Sequence, residues 1–351
     1  MVAALVKEIT ISSSYLINDR EPEEIIETIY FGGGTPSLLS GSEIDILLKA
    51  VKNNFKIASD MEITLEANPD DINIEKLLVW ENAGINRLSI GVQSFKENDL
   101  QWMNRAHDKI QATESISLAK SAGFTNFSLD LIYGTPGLTD EEWKLNVDTV
   151  INSGAPHIAC YALTVEPDTA LQKMIALKKK TDINTDQQAR QFQLLIKWLR
   201  EAGYEHYEIS NFAKPGYRSR HNSSYWQGKK YLGIGPSAHS YNGNGRRWNI
   251  ANNALYIQSI KNNLIPFEEE KLTDTQRLNE YIMTSLRTIE GLDLKFIDKN
   301  FSLQERKRIE SCANNYLKRK LLIIKNEKVA LADEGKLFAD GIASDLFKLP
   351  D

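Results

Sequence analysis

YFGGGTPSLLS, residues 30–40, is the stretch on which the fold turns. A short β-like segment (Ile26, Ile29, Tyr30, Phe31) runs directly into Gly32, Gly33 and Gly34, and Thr35-Pro36 follows. Consecutive glycines at a strand end remove every Cβ, so a small polar ligand can approach the backbone N–H and C=O groups closely. Such a layout suits an edge-on grip on an amino acid or a nucleotide. A glycine turn that only reverses the chain is the plain alternative. The neighbouring segments decide between them.

Working outward, short apolar strands at 26–31, 62–66 (EITLE), 87–92 (RLSIGV), 127–132 (FSLDLI) and 157–163 (HIACYAL) alternate with amphipathic helices at 42–53, 73–83, 96–103, 109–122, 140–152 and 185–202. Strands separated by helices predict βαβ units and a parallel sheet. Just past the strand ends lie Gly32–Thr35, Glu66-Ala67-Asn68-Pro69, Gln93-Ser94 and Tyr133-Gly134-Thr135-Pro136. The C-terminal edge of a parallel sheet is where sites are built, so these loops are walls of one common site. Glu66 and Asp130 offer carboxylates, Gln93 an amide, Arg105 a bidentate cation, and Gly33, Gly34 and Thr35 backbone and hydroxyl groups. That kit matches a ligand with vicinal hydroxyls, an amine and a carboxylate, such as a nucleoside joined to an amino acid.

Three units are expected: an α/β part at 1–202, an aromatic-rich extension at 203–269 and a C-terminal module at 270–351. Residues 173–186 (KMIALKKKTDINTD) read as a surface loop. The extension holds HNSSYW at 221–226 and GIGPSAHSY at 233–241, in a loop-rich setting of the kind that carries function. GIGPSA has the spacing of a dinucleotide fingerprint but lacks the helix that should follow it. In the last unit, helices at 274–289 and 302–320, the hairpin LLIIK-NEK-VALAD and a final helix at 334–347 predict a winged-helix-like α+β module. Its basic residues (Arg306, Lys307, Arg308, Lys318, Arg319, Lys320) alternate with Glu305 and Glu310, which favours packing or partner docking over DNA binding.

Composition narrows the classes further. With 42 Lys and Arg against 47 Asp and Glu, the net charge of −5 gives no basic field for nucleic acid. No apolar run approaches the roughly 20 residues that span a bilayer, and MVAALVKEIT is too short and polar for a secretory leader. The two cysteines, Cys160 and Cys312, make neither a disulfide framework nor a metal motif, so a reducing cytoplasm is the expected compartment.

GGGTP (32–36), LEANP (65–69), NRLSIGVQSF (86–95), MNRAHD (103–108) and DLIYGTPG (130–137) resemble, in order, the motifs of the radical S-adenosylmethionine family, and specifically its oxygen-independent coproporphyrinogen III oxidase group. HNSSYW and GIGPSAHSY are similar to the heme-chaperone branch of that group. The resemblance implies an incomplete (βα)6 TIM-like barrel. It also implies S-adenosylmethionine held at its methionyl end by Gly33, Gly34 and Thr35, with Glu66 and Gln93 facing the ribose region. Arg105 would meet the methionyl carboxylate, Asp130 would complete the site, and Ala162 would lie against the adenine. Members of the family carry a C-x₃-C-x₂-C loop for a [4Fe–4S] cluster after the first strand. The start of this chain resembles the helix that follows that loop, so neither the first strand nor the cluster is expected in it.

The same resemblance makes heme the expected cargo. His221 is the expected iron ligand, Tyr225 and Trp226 are flat faces for the macrocycle, and His239 is a second ligand candidate. Arg218, Arg220, Lys229 and Lys230 are available to propionates. Two functions stay open: heme trafficking to an accepting protein, or radical oxidative decarboxylation of porphyrinogen propionates.

Overall fold

The computed structural model describes residues 1–16 and 24–349. Helix α1 (Val2–Ile11) precedes an alternation of β1 (Ile25–Phe31), α2 (Gly41–Asn54), β2 (Lys56–Ala67), α3 (Ile74–Ala83), β3 (Arg87–Gln93), α4 (Glu97–Trp102), α5 (Lys109–Ser121), β4 (Phe127–Tyr133), α6 (Asp140–Ser153) and β5 (His157–Ala162). Strands β1 to β5 pair in parallel, in sequence order. After α7 (Ala170–Ala176) and α8 (Thr185–Glu201), the antiparallel strands β6 (Glu205–Glu208) and β7 (Asn211–Ala213) complete a seven-stranded sheet of order β1-β2-β3-β4-β5-β7-β6. The parallel α/β sheet is the one expected from the strand–helix alternation, and its curled form is the partial barrel that the resemblance implied. Local chemistry sets the helix limits. Ser40 with Glu43, Asp108 with Gln111, and Thr139 with Glu142 form capping boxes at α2, α5 and α6. Gly84 and Gly154 end α3 and α6 in the left-handed region.

The two faces of the sheet differ in kind, because alternate residues of a strand point opposite ways. Ile63 and Leu65, then Leu88, Ile90 and Val92, then Phe127, Leu129 and Leu131, then Ile158 and Cys160 are buried against the helices, where Trp80 and Trp143 are almost fully enclosed. The intervening positions are mostly polar: Thr28 and Tyr30, Glu62, Thr64 and Glu66, Arg87, Ser89 and Gln93, Ser128 and Asp130, His157. The inner face is therefore built for ligands, and the outer face holds the sheet together.

The extension is more ordered than its sequence implied. Helix α9 (Arg220–Trp226), strands β8 (His239–Tyr241) and β9 (Gly245–Asn249), helix α10 (Asn253–Lys261) and strand β10 (Phe267–Lys271) form it, with the strands in the antiparallel order β10-β9-β8. Helix α1 docks here through the buried Glu8, which accepts hydrogen bonds from the Gly235 N–H, the Asn249 amide and the Tyr256 hydroxyl. The final segment comprises α11 (Asp274–Leu286), β11 (Leu292–Asp293), α12 (Leu294–Asn300), α13 (Leu303–Lys318), β12 (Leu322–Lys325), β13 (Lys328–Leu331) and α14 (Ala339–Asp345). These elements enclose a separate core that includes Leu278, Ile282, Ile297, Ile309, Val329 and Ile342.

Three expectations need correction. The stretch 173–186 is not all loop, since α7 covers its beginning and α8 its last two residues; the lysine run and turn residues between them masked the short apolar set Leu171, Met174 and Ile175, none of which is buried. Strands β6 to β10 were not anticipated, being only three to five residues long. The last helix is interrupted: a 3₁₀ turn at Glu334–Phe338 precedes α14.

Candidate functional site

A cleft of about 1340 Å³ opens along β1. Its walls come from β1 itself, the apolar sides of α1 and α2 (Leu5, Ile9, Leu47, Val51), the glycine loop and the 221–239 segment. At one end lie Gly33, Thr35 and Glu66; at the other lie His221, Tyr225 and His239.

The glycine end is built by turning the chain off β1. Gly33 and Gly34 take φ values of +74° and +64°, which a side chain would strain, and no atom lies within 4 Å of where their Cβ atoms would stand. The Gly33 N–H donates to Glu66 Oε2 at 3.2 Å, and the Tyr30 hydroxyl donates to Glu66 Oε1 at 2.7 Å. Burial and the Glu66 carboxylate push the Tyr30 phenol up, so it stays a donor. Thr35 is exposed beside the glycines.

A second cluster sits at the end of β3. Gln93 has a φ of +65°, a setting that costs a non-glycine residue about 1 kcal/mol and is typical of strained functional loops. Arg105 donates from Nη2 to Asn68 Oδ1 at 2.8 Å, while its buried Nε has no partner among the described residues. A Cβ on Gly91 would come within 2.9 Å of Gln93 Nε2 and 3.5 Å of Arg105 Nη2, so the glycine leaves room for both. Asp130 on β4 accepts from the Ser128 and Ser89 hydroxyls. Burial pushes its carboxyl up to about 7; Glu66 adds to this, while the two hydroxyls and Arg87 oppose it. Ala162 ends β5, exposed and in register with Tyr133, away from the cleft wall.

At the other end His221 is fixed from several sides. Glu62 on β2 is buried and accepts the His221 and Arg220 N–H groups at 3.0 and 3.2 Å, closing the start of α9. Tyr30 stacks on the imidazole, with ring centroids 4.7 Å apart. Nδ1 lies 2.8 Å from Thr28 Oγ1, and Nε2 lies 3.0 Å from the Tyr225 hydroxyl. Burial lowers the imidazole pKa to about 4, so the ring is neutral at pH 7. Ring contacts continue from Tyr225 to Tyr231 and on to Tyr241. Lys229 and Lys230 on the cleft wall pair with Glu27 and Glu24. Trp226 turns away and packs beneath Arg287, with the guanidinium 5.0 Å from its ring. Arg218 is tied to Glu205 and Glu290, and Arg220 to Asp60. His239 is exposed on the cleft wall and stacks with Trp248.

Residues 16–150 match the radical SAM superfamily model. The heme chaperone HemW of Mycobacterium tuberculosis is 34% identical over 322 residues, covering 92% of this chain and 80% of that protein. HemW of Bacillus subtilis is 32% identical over 319 residues, covering 90% of this chain and 84% of that protein. The chain belongs to the HemW family. Among solved structures, the radical SAM enzyme coproporphyrinogen III oxidase (HemN) from Escherichia coli matches with a TM-score of 0.82 at 23% identity, covering 99% of this chain and 82% of that one, a likeness of fold.

Superfamily membership brings S-adenosylmethionine and a [4Fe–4S] cluster into question, and the HemW-family residues answer differently for each. The open glycine backbone and the unpartnered Arg105 Nε fit an amino-acid end with a carboxylate. The thiols do not fit a cluster. Cys160 is buried in the outer-face core with its thiol pushed well up by desolvation, and Cys312 packs against the separate C-terminal core. No group of three His, Cys, Asp or Glu side chains suited to a metal occurs among the described residues. Likewise, no described helix is long and apolar enough to cross a membrane.

Thr28, Tyr30, Glu62, Asn68 and Gly91 were missed by motif reading. Their signal lay in the strict two-residue alternation: Thr28 and Tyr30, and likewise Glu62 and Glu66, share the face opposite the apolar residues of their strands.

Proposed function

We propose that this chain is a heme chaperone of radical SAM descent, with heme as cargo seated at the α9 end of the cleft. The observation that carries the reading is His221, a neutral imidazole held on the wall of a cleft large enough for a macrocycle. A neutral ring nitrogen is the form that coordinates iron. Tyr30, Tyr225 and Tyr231 offer aromatic faces along the same wall, and Lys229 and Lys230 would exchange Glu27 and Glu24 for propionates. His239, also in the lining, is a second ligand candidate, and Trp226 supports α9 rather than the cargo. The relatives' printed name, heme chaperone, is in keeping with this reading.

Gly33, Gly34 and Thr35 at the glycine end would hold the methionyl group of S-adenosylmethionine, Arg105 its carboxylate, and Glu66 with Gln93 and Asp130 of the neighbouring strands the rest of the molecule, Ala162 on β5 lying outside the cleft wall on the adenine side. S-adenosylmethionine, when bound, supplies a sulfonium and an adenosyl group. The protein's own part is to orient it through backbone and guanidinium contacts. Residues 1–202, 203–269 and 270–351 would act as barrel, cargo-side extension and docking module, in the cytoplasm, with an accepting protein as the recipient of heme. The rival reading, oxidation of porphyrinogen propionates, has the shared fold in its favour and no further feature.

Titration of hemin into the purified chain and into His221→Ala, followed by Soret absorbance, tests the proposal. The expected result is a ligated spectrum in the wild type and at least tenfold weaker binding with an altered spectrum in the variant. Equal affinity and identical spectra would remove His221 from the role.

A further inference from the structure

Both ring nitrogens of His221 are occupied by hydroxyls, yet a neutral imidazole carries one N–H. Iron needs the other nitrogen, so something must choose the tautomer. The two hydroxyls differ in how they are mounted. Thr28 sits on β1, in register with Glu62, and its branched side chain has little χ1 freedom. Tyr225 lies on the same helix as His221, one turn on, and is exposed. The remaining sides of the imidazole are closed: Glu62 holds the backbone N–H and Tyr30 covers a ring face. Only the Nε2 edge, under the hydroxyl of an exposed tyrosine, can be opened without moving a strand.

We propose that Thr28 is the positioning residue of the cargo site: it accepts the Nδ1–H of His221 and thereby leaves the Nε2 lone pair for iron, with the Tyr225 hydroxyl as a placeholder that the iron displaces. This inference rests on the heme reading above. In the exchange, the O–H···N hydrogen bond from Tyr225 to Nε2 breaks and an Nε2–iron coordinate bond forms. No proton leaves the imidazole, and the Tyr225 O–H turns to water. Metal-binding histidines are generally held by a partner on their second nitrogen, and loss of that partner typically weakens affinity 10- to 100-fold. Loss of the placeholder acts in the opposite direction, because iron then has one hydrogen bond fewer to break.

The test is hemin titration of the full chain with Thr28→Val, Thr28→Ser, Tyr225→Phe and His221→Ala, recording affinity and the ferric and ferrous spectra. Thr28→Val should bind about 10-fold more weakly or worse, with a shifted Soret band, as the ring turns. Thr28→Ser should return to within about threefold of wild type, because the hydroxyl is restored. Tyr225→Phe should bind about 2- to 10-fold more tightly. If His221→Ala abolishes ligation while Thr28→Val matches wild type in affinity and spectrum, the role of Thr28 fails and the heme reading stands. If His221→Ala itself matches wild type, the heme reading fails. Should Thr28→Val not fold, as judged by circular dichroism, Tyr225→Phe decides alone, and unchanged or weaker binding there overturns the proposal.

Discussion

Asp130 shows how one carboxyl on the inner face responds to its surroundings. Its native pKa of about 7 stands above the roughly 3.9 of an unfolded aspartate. Between those values the native state holds a proton that the unfolded state lacks. This contribution to stability is therefore complete below about pH 3.9 and is lost as pH rises through 7. At pH 8 the native site bears an anion beside Glu66, which burial disfavours. Asp130→Asn keeps an oxygen for the Ser128 and Ser89 hydroxyls without that charge. The variant should be more stable than wild type at pH 8, by on the order of 1–3 kcal/mol, with the gap clearly narrower at pH 5. Urea denaturation at the two pH values measures it, and a pH-independent difference would show that Asp130 is not the titrating group.

At the scale of elements, α9 is held at its start by Ser219 and by a distant residue, Glu62. It is short and buries none of its residues, so its own helical propensity contributes little. Glu62 closes its first turn from β2, and Glu62→Ala leaves the Arg220 and His221 N–H groups without that acceptor. A loss of about 1–3 kcal/mol is expected, with Glu62→Gln intermediate, and hemin affinity should fall in the same order. Unaltered stability and affinity in Glu62→Ala would mean that the helix is held by other contacts. The parallel strands and their helices were legible in sequence to within a residue or two at most boundaries, because apolar spacing and caps mark them; β2 is the exception, extending six residues upstream of its expected start through the polar turn side of the strand. The strand-end loops were legible for the same reason. What the sequence does not display is that Thr28 and His221, 193 residues apart, share a hydrogen bond, or that Trp226 faces Arg287 while its neighbour Tyr225 faces the cleft. Those relations depend on how α9 packs across the inner face, and no local pattern encodes that packing.

For the whole molecule, the buried histidines contribute to acid lability. Burial lowers His221 to about 4, burial with the nearby Lys336 lowers His206 to about 3, and burial holds His157 well below its usual value. Unfolded histidines titrate near 6.5. Below that pH the unfolded chain gains protons that the native one refuses, so these groups reduce stability as pH falls from about 6.5 toward 4. The Asp130 contribution runs the other way and offsets part of the loss. A thermal midpoint several degrees lower at pH 5 than at pH 7 is expected, with a smaller drop in His206→Gln. An equal drop in that variant would assign the acid lability elsewhere.

The division of labour between the two faces of the sheet has an evolutionary consequence. Residues such as Ile29, Leu65, Ile90 and Leu129 anchor the helices, while Thr28, Tyr30, Glu66 and Ser89 on the same strands face the interior. A lineage can therefore rewrite cleft-facing positions such as Thr28, Tyr30 and Glu66 to suit a new cargo without touching the apolar set that packs the helices, while buried inner residues such as Glu62 and Arg87 stay under structural constraint. Divergent chemistries on one scaffold follow from that alternation, and a designer seeking to retarget the cleft would start with the inner residues that line it and leave their apolar neighbours alone.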